Sequence, residues 1–129
     1  MNKHIETSDA PAAIGPYSQA IVAGNTLYIS GMMPIDSKTG ALVEPDIRKQ
    51  AAQIMKNIDA VLKAAGYTSE DVVKTTCFIH DMADFGAFNE VYASYFTSRP
   101  ARSCVAVKEL PKGALVEVET IAYRYKEVA

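Results

Sequence analysis

Apolar side chains recur at two different spacings along the chain, and the change of spacing marks the secondary-structure elements. Between Asp46 and Gly66, apolar residues return every three or four positions, the pattern of one face of an α-helix. Asp46, directly after Pro45, is a suitable N-cap, and Gly66 supplies a C-terminal stop. A second pattern of this kind predicts a helix that begins near the cap candidate Asp84. It ends before Pro100, because proline disfavours helical backbone at the preceding residue.

β-branched and aromatic residues dominate the segments outside these helices, which is typical of strands. They predict five strands: Tyr17–Val22, Thr26–Ser30, Val72–His80, Ser103–Lys108 and Leu115–Tyr125. The residues up to Pro16 are predicted to be an irregular lead-in. The order β-β-α-β-α-β-β, without an internal repeat, predicts an α/β fold with a single mixed sheet and two helices on one face.

The face of the sheet away from the helices also needs cover. We expect it to carry apolar side chains from a group comprising Ile29, Val73, Phe78, Val105, Val107, Val116 and Val118. Exposing such an apolar surface to water is unfavourable, so we expect a homo-oligomer that packs sheet against sheet.

Composition narrows the function classes. The 129 residues suffice for a hydrophobic core, and we expect residues 1–129 to form a single domain. The formal net charge is −2 and the sequence has no run of Lys or Arg, so it gives no sign of the basic surface that binds nucleic acid. No apolar run approaches the roughly 20 residues of a membrane span, and the N-terminus lacks the apolar core of a signal peptide, so we expect a cytoplasmic protein.

Cys77 and Cys104 match no metal-ligand spacing, and the two histidines are isolated, so we expect no metal site.

Arg102 and Glu117 are the candidates for chemistry. Arg102 opens a predicted strand, and a planar guanidinium suits a substrate carboxylate better than an ammonium does. The alternative is a surface arginine in an ion pair. Glu117 and Glu119 share one side of the last strand, which permits acid–base work but equally fits a solvated edge. If the two strands pair in one sheet, the guanidinium and a carboxylate can face the same cleft.

Several other residues are weaker candidates. Tyr17 lies in a Gly-Pro-Tyr-Ser segment, and Ser30 precedes Gly31, so hydroxyl groups stand beside permissive backbone where a ligand can approach. Two tight turns would produce the same pattern. Asn89 has either a polar role in the second helix or an exposed position there. Cys104 has no histidine near it in sequence, and we expect an inert thiol.

Taken together, several blocks closely resemble the YjgF/RidA family, from about Pro11 to about Tyr125. They are Gly15-Pro16-Tyr17-Ser18-Gln19-Ala20, Ser30-Gly31, Asn89-Glu90-Val91-Tyr92 with Phe96, Pro100-Ala101-Arg102-Ser103-Cys104, Leu110-Pro111-Lys112-Gly113 and Val116-Glu117-Val118-Glu119. The resemblance implies a chorismate-mutase-like fold and a homotrimer with three ligand clefts between subunits. It also implies the activity of the RidA branch, which hydrolyses reactive 2-imino acids such as 2-iminopropanoate and 2-iminobutanoate to 2-keto acids and ammonia.

By the same resemblance, Arg102 would hold the substrate carboxylate and Glu117 would position or activate the attacking water. Main-chain groups around Cys104 and Gly31 would address the imine nitrogen or the keto oxygen. An imine is already electrophilic, so no cofactor is expected. The further positions implied to line or border the cleft are Tyr17, Ser30 and Asn89.

The chain departs from the family in having Met32 where many members have Gln, which affects the shape or polarity of the cleft wall. The stretch before Pro100 is also short. Two other functions stay open: a non-catalytic protein that binds a small carboxylate or keto acid for regulation, and a single-strand ribonuclease or translation inhibitor. The acidic balance counts against the second, because RNA binding depends on phosphate neutralisation. Glu117 distinguishes the enzyme from the binding protein.

Overall fold

The computed structural model describes residues 1–125, and the last residues of the expected domain, 126–129, lie outside that range. The described chain has six strands and two α-helices: β1 (Lys3–Ile5), β2 (Ala20–Ala23), β3 (Thr26–Met32), α1 (Ile47–Ala65), β4 (Val72–Ile79), α2 (Phe85–Tyr95), β5 (Ala101–Ala106) and β6 (Val116–Tyr123). None of the helices in this part of the chain combines the length and the apolar character needed to cross a membrane.

The strands form one mixed sheet in the order β1-β2-β3-β6-β4-β5. β4 and β5 run parallel and are joined through α2, as a parallel pair requires a crossover. The other neighbouring strands are antiparallel. The predicted single mixed sheet with two helices is therefore confirmed. β5 forms one edge of the sheet, so one side of its backbone has no strand partner within the described chain.

Both predicted helices are present. The two ends of α1 are as predicted, whereas the predicted cap of α2 makes no capping bond. The Asp46 carboxylate accepts a hydrogen bond from the Lys49 N–H at 3.0 Å, and Gly66 ends α1 in the left-handed region at φ 82°. α2 begins after Asp84 as predicted, but the Asp84 side chain makes no capping bond. Asp81 caps instead the single 3₁₀ turn that precedes α2, where it accepts from a backbone N–H.

Most strand predictions need correction, and β5 and β6 also end two residues earlier than predicted, at Ala106 and Tyr123. β1 lies where an irregular lead-in was expected, since a strand of three residues is too short to show a period and forms only by pairing with β2. β2 begins at Ala20 rather than Tyr17. β3 continues past Ser30 to Met32. β5 begins at Ala101, directly after the proline, because its parallel register with β4 starts there.

The core lies between the helices and one face of the sheet. In β6, alternate residues from Val116 to Ala122 are fully or almost fully buried against the helices. The prediction that Ile29, Val116 and Val118 lie on the other face is therefore wrong, because β6 is an interior strand whose small apolar side chains fill the core. The open face still exposes about half of several apolar side chains, namely Tyr28 (49%), Val105 (47%) and Tyr123 (47%).

Candidate functional site

A cavity of about 700 Å³ lies where the N-terminal segment passes the ends of β3 and β6. It brings together four of the predicted site residues, Tyr17, Ser30, Gly31 and Glu117. The rest of its wall is mainly apolar, with further polar groups supplied by Gln19, Lys112 and Glu119; the apolar members are Pro11, Ala12, Ile14, Met32, Met33, Ile35 and Pro111. A pocket of this type, apolar with a few converging polar groups, is typical of small-molecule sites.

Gly31 is at its position because the Glu117 carboxylate needs the space. A Cβ added to Gly31 would lie 2.3 Å from the nearer Glu117 carboxylate oxygen and 2.9 Å from the carboxyl carbon. The register between β3 and β6 shifts just here, between Ile29 and Met32. β3 therefore runs through Gly31 rather than stopping there, and its bare backbone forms the surface on which the carboxylate lies.

Burial raises the pKa of the Glu117 carboxyl above its ordinary value, and the negative charge of Glu119 on the same face raises it further. Glu117 is half-buried, whereas Glu119 is exposed. The two carboxylates were predicted to share one side of the last strand, and the structure confirms that arrangement. A carboxyl with a raised pKa both accepts and returns a proton more readily near neutral pH than an ordinary glutamate does.

Arg102 is held by a neutral amide and by aromatic rings. One terminal N–H of its guanidinium donates to the Asn89 side-chain oxygen at 2.7 Å. The guanidinium carbon lies 4.7 Å from the ring centre of Tyr92 and 5.4 Å from that of Phe85. Across residues 1–125, no salt bridge involves Arg102. The alternative of an ion-paired surface arginine is therefore wrong for the described chain, and the guanidinium keeps an uncompensated positive charge.

Arg102 and Glu117 lie on opposite faces of the sheet. β4 separates β5 from β6, and Phe78 on β4 is the register partner of both Glu117 and Val105. Side chains alternate along a strand, so Arg102, three residues before Val105, points to the helix face. Within one chain the two groups therefore do not share a cleft, because the intervening strand and the alternation of side chains separate them.

Asn89 and Cys104 belong with Arg102 rather than with the cavity. Cys104 is two residues after Arg102 on the same face and pairs in register with Cys77. Burial raises the pKa of the Cys104 thiol, and the nearby guanidinium only partly opposes this. The fully buried Cys77 has its pKa raised to about 12, again chiefly by burial. Protonated thiols are poor nucleophiles, which favours the inert role predicted for Cys104.

The sequence did not reveal how Arg102 is held. Phe85 belongs to the apolar pattern that predicts the second helix, and Tyr92 belongs both to that pattern and to a block of the family resemblance, but neither was assigned a contact with Arg102; both rings contact the guanidinium. The sequence carried no local signal for these contacts, because Tyr95 in the same helix has a hydroxyl as well and the Tyr92 hydroxyl bonds to Thr75 rather than to Arg102.

Gln19 was also missed as a residue that shapes the cavity. It is 6% exposed, and its side-chain amide donates to the Pro11 carbonyl at 2.7 Å and to the Thr7 carbonyl at 3.0 Å. Its side-chain oxygen accepts from the Thr7 N–H at 2.7 Å. Gln19 thereby fixes the irregular segment 7–12, part of which walls the cavity. Met32, noted as a departure, lines the cavity and is also packed in the core at 5% exposure.

Comparison with known proteins shows the family and the fold of the chain. The family model described as endoribonuclease L-PSP matches residues 7–124. A RutC family protein of Pyrococcus horikoshii is 54% identical, over 96% of this chain and 99% of its own. The 2-iminobutanoate/2-iminopropanoate deaminase of Salmonella typhimurium is 47% identical, over 96% of this chain and 99% of its own. A crystal structure of a Rid family protein of unknown function from Yersinia pestis superposes with a TM-score of 0.94 at 54% identity, covering 96% of this chain and all of that one.

Proposed function

The chain belongs to the endoribonuclease L-PSP family, which is the YjgF/RidA family, and on that premise we propose that it is a deaminase of 2-imino acids. Its substrates are small imino acids such as 2-iminopropanoate and 2-iminobutanoate, and its products are the 2-keto acid and ammonia. Close relatives that carry the name of this activity support the proposal.

The observation that carries the proposal is the uncompensated guanidinium of Arg102. A half-buried arginine normally lies beside a carboxylate, but here an amide and two aromatic faces hold it and leave its charge available. In the proposed site this charge binds the carboxylate that every 2-imino acid carries. The unpaired backbone edge of β5 beside Cys104 offers main-chain groups to the rest of the substrate.

Glu117 is the proposed proton carrier. It takes a proton from a water molecule as the water oxygen bonds to the carbon of the protonated imine, which gives a tetrahedral carbinolamine. Glu117 then returns that proton to the nitrogen and, as a carboxylate again, takes the hydroxyl proton as the carbon–nitrogen bond breaks, the carbon–oxygen double bond forms and ammonia leaves. The proton that Glu117 then holds passes to the ammonia or to solvent, so the products are the 2-keto acid and ammonium. The raised pKa of Glu117 suits these transfers, and the electrophilic imine needs no covalent intermediate or cofactor.

We further propose a homotrimer of chorismate-mutase-like subunits with its clefts between them. Two observations support an intersubunit cleft. Arg102 and Glu117 lie on opposite faces of one chain, so a single cleft that contains both must take them from two copies. The open sheet face also exposes apolar side chains, including Tyr28 and Tyr123, that a neighbouring copy would cover. In such a cleft Tyr17 and Ser30 line the wall beside Glu117.

The test is keto-acid formation from imino acids generated freshly by an amino-acid oxidase. We expect the wild type to accelerate hydrolysis well beyond the spontaneous rate. Arg102→Lys should lose activity, because an ammonium lacks the planar fork, and Glu117→Gln should bind 2-oxobutanoate normally but lose turnover. If a folded wild type binds the keto acid without accelerating hydrolysis, the chain is a carboxylate-binding protein. If Arg102→Lys retains full activity, Arg102 is not the clamp.

A further inference from the structure

Tyr92 connects the second helix, the sheet and the guanidinium. The centre of its ring lies 4.7 Å from the Arg102 guanidinium carbon, while its hydroxyl is 2.6 Å from the Thr75 hydroxyl. Thr75 is fully buried on β4 and is the direct register partner of Arg102 on β5. Tyr92 itself is 7% exposed. Each of Arg102, Thr75 and Tyr92 therefore contacts the other two: Arg102 and Thr75 through strand pairing, Thr75 and Tyr92 through their hydroxyls, and Tyr92 and Arg102 through the ring.

The bond from Asn89 fixes only one corner of the guanidinium. A single hydrogen bond leaves the group free to turn about that bond, so it does not define the plane in which the remaining donors lie. Across residues 1–125 no other hydrogen bond uses the Arg102 guanidinium, which leaves its Nε–Nη2 edge open. A bidentate carboxylate needs that edge in one defined plane. Two rings lie over the guanidinium, that of Tyr92 with its centre 4.7 Å from the guanidinium carbon and that of Phe85 at 5.4 Å, and the nearer one is best placed to set this plane.

The chemistry of the partners also matters. A carboxylate at the position of the Tyr92 ring would orient the guanidinium equally well but would neutralise it. An aromatic face attracts the cation through its quadrupole and adds no net charge, so the affinity for an incoming anion is preserved. A tyrosine that only filled the core would still need a partner for its hydroxyl, but it would not need a ring directed at Arg102.

We propose that Tyr92 is a positioning residue for the carboxylate clamp: its ring sets the plane of the Arg102 guanidinium, and Thr75 fixes the ring through the tyrosine hydroxyl. The inference rests on the proposed role of Arg102 in binding the substrate carboxylate. Tyr92 acts through Arg102 and does not touch the reacting atoms. Its loss should therefore weaken binding of the carboxylate in substrate and transition state alike, which raises KM and leaves kcat nearly unchanged.

The experiment compares Tyr92→Leu and Tyr92→Phe with Phe88→Leu as a matched control. Phe88 is fully buried on the same helix and contacts the Tyr92 ring, whereas no cation–π contact within residues 1–125 joins it to Arg102. The readouts are the Kd for 2-oxobutanoate, the split between KM and kcat, and the NMR signal of the Arg102 Nε–H. Tyr92→Leu should raise Kd and KM about tenfold and move or broaden that signal. Tyr92→Phe, which keeps the ring, should restore most of the affinity.

The control should lower the melting temperature and leave the Kd and the Nε–H signal unchanged. The proposal is overturned if Tyr92→Leu binds 2-oxobutanoate like the wild type, or if Phe88→Leu weakens binding as much as Tyr92→Leu does. A wild type that binds the keto acid through Arg102 without turnover would refute the deaminase alone, since the Kd and the NMR signal still decide the role of Tyr92. If Arg102→Ala binds 2-oxobutanoate like the wild type, the clamp role of Arg102 and the positioning role of Tyr92 both fall, whereas the deaminase activity is decided by turnover of the wild type.

Discussion

A mixed-oligomer experiment tests directly whether one site takes its two key groups from different subunits. One chain carries Arg102→Ala and a second, differently tagged chain carries Glu117→Gln. Each variant alone should be inactive, because each lacks one group in every cleft. Since the strand pairing places Arg102 and Glu117 on opposite faces of one subunit, a hybrid oligomer can bring an intact Arg102 from one chain to an intact Glu117 from the other.

The expected activity follows from the arrangement. In a closed ring of identical interfaces, a cleft works only when the subunit that gives the arginine is the Glu117→Gln chain and its neighbour is the Arg102→Ala chain. With equal amounts and random assembly, each condition holds for about half of the positions, so about one quarter of the clefts are intact. A site within one subunit predicts no activity at all, because every chain carries one lesion.

The assay is keto-acid formation from 2-iminobutanoate by the whole, unselected mixture of co-expressed chains, whose equal amounts are checked through the two tags. A second mixture, of wild type with the double variant, provides the control. It should show about a quarter of the wild-type activity for an intersubunit site and about half for a site within one subunit. Inactive hybrids together with half activity in the control mixture would refute the assignment of Arg102 and Glu117 to different subunits.

Three further predictions concern the surroundings of these groups. Gly31→Ala should reduce kcat by about 10- to 100-fold while the melting temperature changes little, because the new methyl group displaces the mobile end of Glu117; wild-type kcat would contradict the packing argument. Glu119→Gln removes a charge that raises the pKa of Glu117, so the acid limb of the pH profile of kcat/KM should move to lower pH. An unmoved limb would mean that Glu117 is not the titrating base. Cys104→Ser should retain near-normal activity, because the thiol is protonated at neutral pH, and a folded but inactive variant would show otherwise.

Local features of the sequence predicted local structure well. The apolar period and the cap and stop residues Asp46 and Gly66 located α1, and both termini form as expected. The alternation of Glu117 and Glu119 with valines gave the correct two faces of β6. It did not say which face is covered, because that depends on the helices that pack against the sheet. β1 was missed for a related reason, since its three residues are strand only through their pairing with β2.

The relation between Arg102 and Glu117 was beyond the reach of pattern analysis. Both residues lie in strands, as predicted, but β4 inserts between those strands, and the parallel register of β5 then decides the side to which Arg102 points. Neither the strand order nor the register is encoded in residues near Arg102. The resemblance to the YjgF/RidA family supplied the expectation of an intersubunit cleft, and family membership is confirmed, while the roles of the individual residues are proposals for experiment.

The amide of Gln19 reverses the usual ranking of conservative substitutions. Three backbone carbonyls of the segment 7–12 surround its nitrogen, at 2.7, 3.0 and 3.4 Å, and one backbone N–H faces its oxygen. Glutamate has almost the same shape, but as a carboxylate it has no donor, so it would set a negative charge against those carbonyls. At this position the isosteric residue is therefore among the worst replacements. Spontaneous deamidation of this single side chain would loosen one wall of the cavity without altering any residue proposed to act on the substrate.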